Sequence, residues 1–83
     1  MQPDEIKALI EAGIPGSQAM VTGDGSHFEA TVVSDAFEGL SMLKQHQMVY
    51  KVLNEHIASG AIHALSIRSY TPAAWAQVQG GND

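Results

Sequence analysis

The stretch Ile62-His63-Ala64-Leu65-Ser66-Ile67, closed by Tyr70-Thr71-Pro72-Ala73-Ala74-Trp75, sets the architecture of this chain. A short apolar run from roughly Ile62 to Tyr70, with Leu65 and Ile67 on one side, reads as a strand. Thr71-Pro72 then supplies an N-cap with proline at the first helical position, starting a short helix that carries Trp75. His63 stands at the entrance of the strand. Its imidazole belongs to the commonest class of nitrogen ligand for metals. Packing is the more ordinary role for a histidine beside a strand, so the position by itself assigns no chemistry.

Upstream, Ile6, Leu9, Ile10 and Ile14 recur at helical spacing behind Pro3, Asp4 and Glu5, and Gly13 with Pro15 ends a helix over about residues 3 to 12. Gln18 to Thr22 and His27 to Val33 are extended runs flanking Gly23-Asp24-Gly25-Ser26, a hairpin turn. Ser34-Asp35 opens a helical turn through Phe37 that ends at Gly39. Ser41 caps a longer helix to about Ser59, closed by Gly60. Its apolar stripe is Leu43, His46, Val49, Tyr50, Leu53 and Ile57, and Lys51 with Glu55 makes an exposed i,i+4 pair.

The order is α-β-β-α-α-β-α. The helices between the second and third strands form a crossover, and a right-handed crossover makes those strands parallel. The expected fold is α+β, a three-stranded mixed sheet with helices on one face and Glu29, Thr31, Ser66 and Arg68 on the open face. Residues 1–77 form a single domain, and residues 78–83 a frayed tail.

Composition narrows the chemistry. The chain has no cysteine, which excludes disulfides, thiolate nucleophiles and self-contained thiolate metal sites. A soft metal centre here requires sulfur from another molecule. With a net charge of -5 and four Lys and Arg, the chain is poorly suited to non-specific nucleic-acid binding. No apolar run is long enough to cross a bilayer, and Met1-Gln2-Pro3-Asp4-Glu5 lacks the pattern of a secretory signal, so a soluble cytoplasmic protein is expected.

The chain lacks a G-x-S-x-G elbow, a P-loop and the zinc spacing H-E-x-x-H, so no enzyme is expected. Gly13-Ile14-Pro15-Gly16 matches the G-x-x-G clamp of KH domains in letters only, because it joins a helix to a strand rather than two helices. His46 reads as a hydrogen-bonded histidine at the core margin, and His56 as a surface residue near a helix C-terminus. His27 and His63 both begin strands, and parallel strands bring both to one end of the sheet.

Together, Phe37-Glu38-Gly39-Leu40-Ser41, His46 with Val49-Tyr50 and Leu53, Ile62-His63-Ala64-Leu65, and Thr71-Pro72 with Trp75 resemble the BolA family. The segment Gly23-Asp24-Gly25-Ser26-His27-Phe28 is most similar to its IbaG-like branch. The resemblance covers nearly the whole chain and implies a class II KH-like core. It also implies a non-enzymatic adaptor in iron–sulfur cluster trafficking, iron homeostasis or stress response. Such an adaptor pairs with a monothiol CGFS-type glutaredoxin and shares a [2Fe–2S] cluster with it and glutathione. The isolated adaptor carries no cofactor. By this resemblance His63 is one cluster ligand, and the second is His27 or Asp24. Tyr70, Thr71, Pro72 and Trp75 belong to the structural and partner surface. Weak self-association, and nucleic-acid binding as a transcriptional regulator, are the alternatives the resemblance carries.

Three positions depart from the family pattern. The hairpin loop has Asp24 where many relatives have cysteine or histidine, Gln45 replaces an arginine before the helix histidine, and Ala74 replaces the glutamate of the T-P-x-E-W block. The last change removes a capping-box partner for Thr71, so a less stable final helix is expected.

Overall fold

Phe28, Ala30 and Val32 alternate with His27, Glu29 and Thr31 along the second strand, and this period of two gives the sheet an apolar and an open face. The computed structural model describes residues 1–80. Its elements are α1 (Pro3–Gly13), β1 (Gln18–Gly23), β2 (His27–Val33), a single 3-10 turn (Asp35–Phe37), α2 (Met42–Ala58), β3 (Ala64–Tyr70) and α3 (Pro72–Gly80). The sheet order is β1-β2-β3. β1 pairs antiparallel with β2, and β2 pairs parallel with β3 in the register His27↔Ala64 to Val33↔Tyr70. The α+β mixed sheet expected from the sequence is the fold observed.

Ile6, Ile10 and Ile14 of α1 and its exit meet Ala19, Phe28, Ala30 and Val32 of the sheet and Val49 and Leu53 of α2. Phe37 and Ile62 complete this core. Burying each large side chain contributes about 1.5–3 kcal/mol relative to exposure. Glu29, Ser66 and Arg68 are exposed on the open face, with Thr31 half-buried between them.

Several expectations change. The stripe of α2 turns, because this helix packs on both α1 and the sheet. Val49 and Leu53 are buried, and Met48 and Val52 pack against the core, whereas Leu43 and Tyr50 are exposed. Tyr50 follows Val49 by one residue, which carries it about 100° around the helix. Lys51 and Glu55 do not pair: Lys51 borders a groove with Gly13, Ile14, Met48 and Val52, and the i,i+4 pair that forms is Lys7–Glu11 at 2.8 Å. β3 starts at Ala64, since the Ile62 N–H is drawn back to His56 O at 3.0 Å. α3 continues to Gly80 but buries no side chain, and its Trp75 ring lies 5.2 Å from that of Tyr70. The remainder of the expected tail, residues 81–83, lies outside the described residues.

The caps at Ser41 and Thr71 form as expected, with Lys44 N–H donating to Ser41 Oγ at 3.2 Å and Ala74 N–H to Thr71 Oγ1 at 3.2 Å. Ser34 does more than cap. Its hydroxyl accepts from Ala36 N–H and donates to Pro15 O, both at 3.0 Å, and its own N–H donates to Tyr70 O at 3.1 Å.

Candidate functional site

The hairpin loop between β1 and β2 is a turn organised by one carboxylate. Asp24 Oδ1 accepts the N–H groups of Ser26 and His27, both at 2.9 Å, while Asp24 N–H donates to His27 O at 3.2 Å. These donors, the His27 N–H foremost and then that of Ser26, hold the Asp24 carboxyl below its ordinary pKa. Gly25 takes a φ of 100°, a region that favours glycine. Gly23 is required by close approach, because a Cβ there would stand 2.5 Å from the Phe28 ring.

A second connection arrives beside that loop. α2 ends at Ala58 with Ser59 as its C-cap, Gly60 turns the chain with φ 83°, and the Ile62 side chain enters the core. The next ladder bond is Ala64 N–H to Ser26 O at 3.1 Å. His63 is therefore suspended between two anchored neighbours, Ile62 bonded to the helix end and Ala64 bonded to the hairpin. It is exposed. His27, the first residue of β2 and the register partner of Ala64, is also exposed, with its Nδ1 3.8 Å from Asp24 Oδ2.

The structure thus brings His63, His27 and Asp24 to one end of the sheet. It does not bring Tyr70, Thr71, Pro72 and Trp75 there. These residues follow the other end of β3, about 20 Å away for a seven-residue strand. His56 is half-buried and borders a groove with Glu5, Leu9 and Ala12, so it is less of a surface residue than its position suggested. His46 is half-buried at the core margin as expected. Its Nε2, however, has no hydrogen-bond partner, and neither does the buried Ser69 Oγ.

Among the described residues, no three His, Cys, Asp or Glu side chains are grouped so as to hold a metal ion alone. The donor set at the sheet end is two accessible imidazoles and a carboxylate. It can furnish part of a coordination shell on an outside molecule. No helix among the described residues is long and apolar enough to cross a membrane.

The profile of the BolA-like protein family matches residues 11–74. Over 77 residues the chain is 43% identical to the acid stress protein IbaG of Escherichia coli (strain K12), covering 93% of this chain and 92% of that protein. A BolA protein homologue from Coxiella burnetii superposes with a TM-score of 0.84 at 42% identity, covering 92% of this chain and 97% of the other. Yeast Fra2 gives a TM-score of 0.73 at 32% identity, covering 94% of this chain and 87% of the other.

Proposed function

This chain belongs to the BolA-like family, in its IbaG-like branch, and from that premise we propose that it is a non-enzymatic adaptor in iron–sulfur cluster handling. It docks on a monothiol CGFS-type glutaredoxin and contributes nitrogen to a [2Fe–2S] cluster whose sulfur ligands come from the glutaredoxin and glutathione. The stress role named for the Escherichia coli relative supports stress response as the setting of this activity.

The observation that carries the reading is the exposed His63, clamped on both sides, next to the exposed His27 in a chain without a thiol. A ligand held in place before its partner arrives loses little conformational freedom on binding. Mixed imidazole and sulfur ligation of a [2Fe–2S] centre is chemically sound, as in clusters where histidine replaces cysteine on one iron. His63 supplies the lone pair. For the second position His27 is the better donor than Asp24. Imidazole suits iron better than a hard carboxylate, and one oxygen of Asp24 is already engaged by two N–H groups. Asp24 instead acts as a positioning residue that shapes the loop carrying His27.

Titrating the purified protein into cluster-loaded monothiol glutaredoxin with glutathione tests the reading by visible circular dichroism. The cluster bands should change with wild-type protein. His63→Ala should abolish that change while apo association persists, and His27→Ala should alter it. If His63→Ala reproduces the wild-type spectrum, His63 is not a ligand and the assignment fails.

A further inference from the structure

The two edges of the sheet are treated differently. On the β1 edge the outward peptide groups of Ala19 are both taken by α1: Ala19 N–H donates to Glu11 Oε2 at 3.0 Å, and Lys7 Nζ donates to Ala19 O at 2.9 Å. At Ala19 this edge is closed to another strand. On the opposite edge β3 has no neighbour beyond it in the sheet. The bonds Ala64 N–H to Ser26 O and Ser34 N–H to Tyr70 O show which residues of β3 turn their backbone towards β2. In a parallel ladder these alternate, so Ala64, Ser66, Arg68 and Tyr70 are engaged while Leu65, Ile67 and Ser69 direct N–H and C=O outward. Among the described residues no other element hydrogen-bonds to those outward groups.

A cavity of about 140 Å³ lies along this edge, lined by Met42, His46, Ile67, Arg68, Ser69 and Tyr70. Ser69 is 8% exposed, and its Oγ and the Nε2 of His46 are buried polar atoms without partners. Unpaired buried polar groups of this kind are costly. Met42, one of the lining residues, is 67% exposed and its side chain is flexible.

The exposed Arg68 gives the guest its charge. Seven of the nine carboxylates lie in residues 1–38, whereas residues 39–83 hold Lys44, Lys51 and Arg68 against Glu55 and Asp83. Arg68 lines the cavity and forms no ion pair among the described residues. We propose that the free edge of β3 is a docking site for an extended acidic peptide, which adds to the sheet as a fourth strand and sets a carboxylate beside the exposed Arg68 on the open face. Strand addition supplies affinity through the backbone and the charge of Arg68 supplies specificity. The carboxylate accepts from the Arg68 guanidinium.

The probe is a blocked synthetic peptide of alternating valine and threonine with a central glutamate and aspartates at both ends. Amide hydrogen exchange of the protein is followed as the peptide is added. Exchange should slow at Leu65, Ile67 and Ser69, with Ser66 and Arg68 little changed because the ladder already protects them. Arg68→Glu, on the exposed face, should weaken binding about ten- to hundredfold, and a central glutamine in the peptide should weaken it in the same direction. Ile67→Pro should remove the protection, since the lost N–H serves only the free edge. Arg68→Glu decides the matter if the proline variant does not fold. Slowing that appears with protein concentration alone would assign the edge to a second copy and overturn the proposal. Slowing by a thymidine oligonucleotide but not by the peptide would overturn it in favour of nucleic acid. Absence of protection at millimolar peptide would end it.

Discussion

Asp24 shows how one side chain sets the shape of a site without being its best ligand. Its carboxylate is stabilised by the His27 and Ser26 amides, so its folded pKa lies below the ordinary 3.8. The sign follows directly. A carboxyl with a lowered folded pKa contributes stability above its unfolded pKa, and the contribution is lost as pH falls through the folded value. In an NMR titration the Ser26 and His27 amide signals should move together with a midpoint below 3.8. Asp24→Asn should remove that step while retaining an acceptor oxygen. A shared midpoint above 3.8 would mean that the carboxylate does not hold the loop. The side-chain types at this site were legible in the sequence, and so was their meeting at one sheet end, because strand order and parallel pairing imply it. The engagement of Asp24 by two backbone donors was not legible, since a Gly-Asp-Gly turn is compatible with many loop conformations.

At the scale of the element, α2 separates what periodicity reveals from what packing selects. Leu43, Val49 and Leu53 all fit a helical stripe, yet Leu53 is fully buried and Leu43 is 68% exposed. Leu53→Ala should therefore cost about 2–5 kcal/mol through lost burial and a residual cavity. Leu43→Ala should stay within about 0.5 kcal/mol of wild type. Urea unfolding at constant m-value measures both, and equal losses would restore the stripe read from spacing alone. The length and N-cap of α2 were legible because Ser41 and Gly60 act on adjacent backbone groups. Its rotation was not, because it depends on α1 and the sheet together. The same reason moves Ile62 out of β3: its amide follows the helix end, and its side chain follows the core.

Across the whole molecule, Ser34 joins three segments remote in sequence: the loop after α1, the 3-10 turn and the end of β3. It is 1% exposed, so Ser34→Ala deletes a buried hydroxyl and with it the part-buried bonds to Pro15 O and Ala36 N–H. The expected loss is about 1–3 kcal/mol, against a total stability of about 4–12 kcal/mol for a chain of this length. Ser41→Ala removes an exposed cap and should cost less, about 0.5–1 kcal/mol. Chemical denaturation of the pair checks the ranking, and a reversed order would show that Ser34 is no junction. The chain by itself determined the sequence of helices and strands, their caps and the parallel return of β3, because these follow from periodicity and from groups a few residues apart. Only the tertiary structure decided which arc of α2 is buried, that α1 closes the β1 edge, and that His46 and Ser69 leave unpaired atoms along one cavity. Burial and hydrogen-bond satisfaction are set by neighbours distant along the chain, and no local pattern records them.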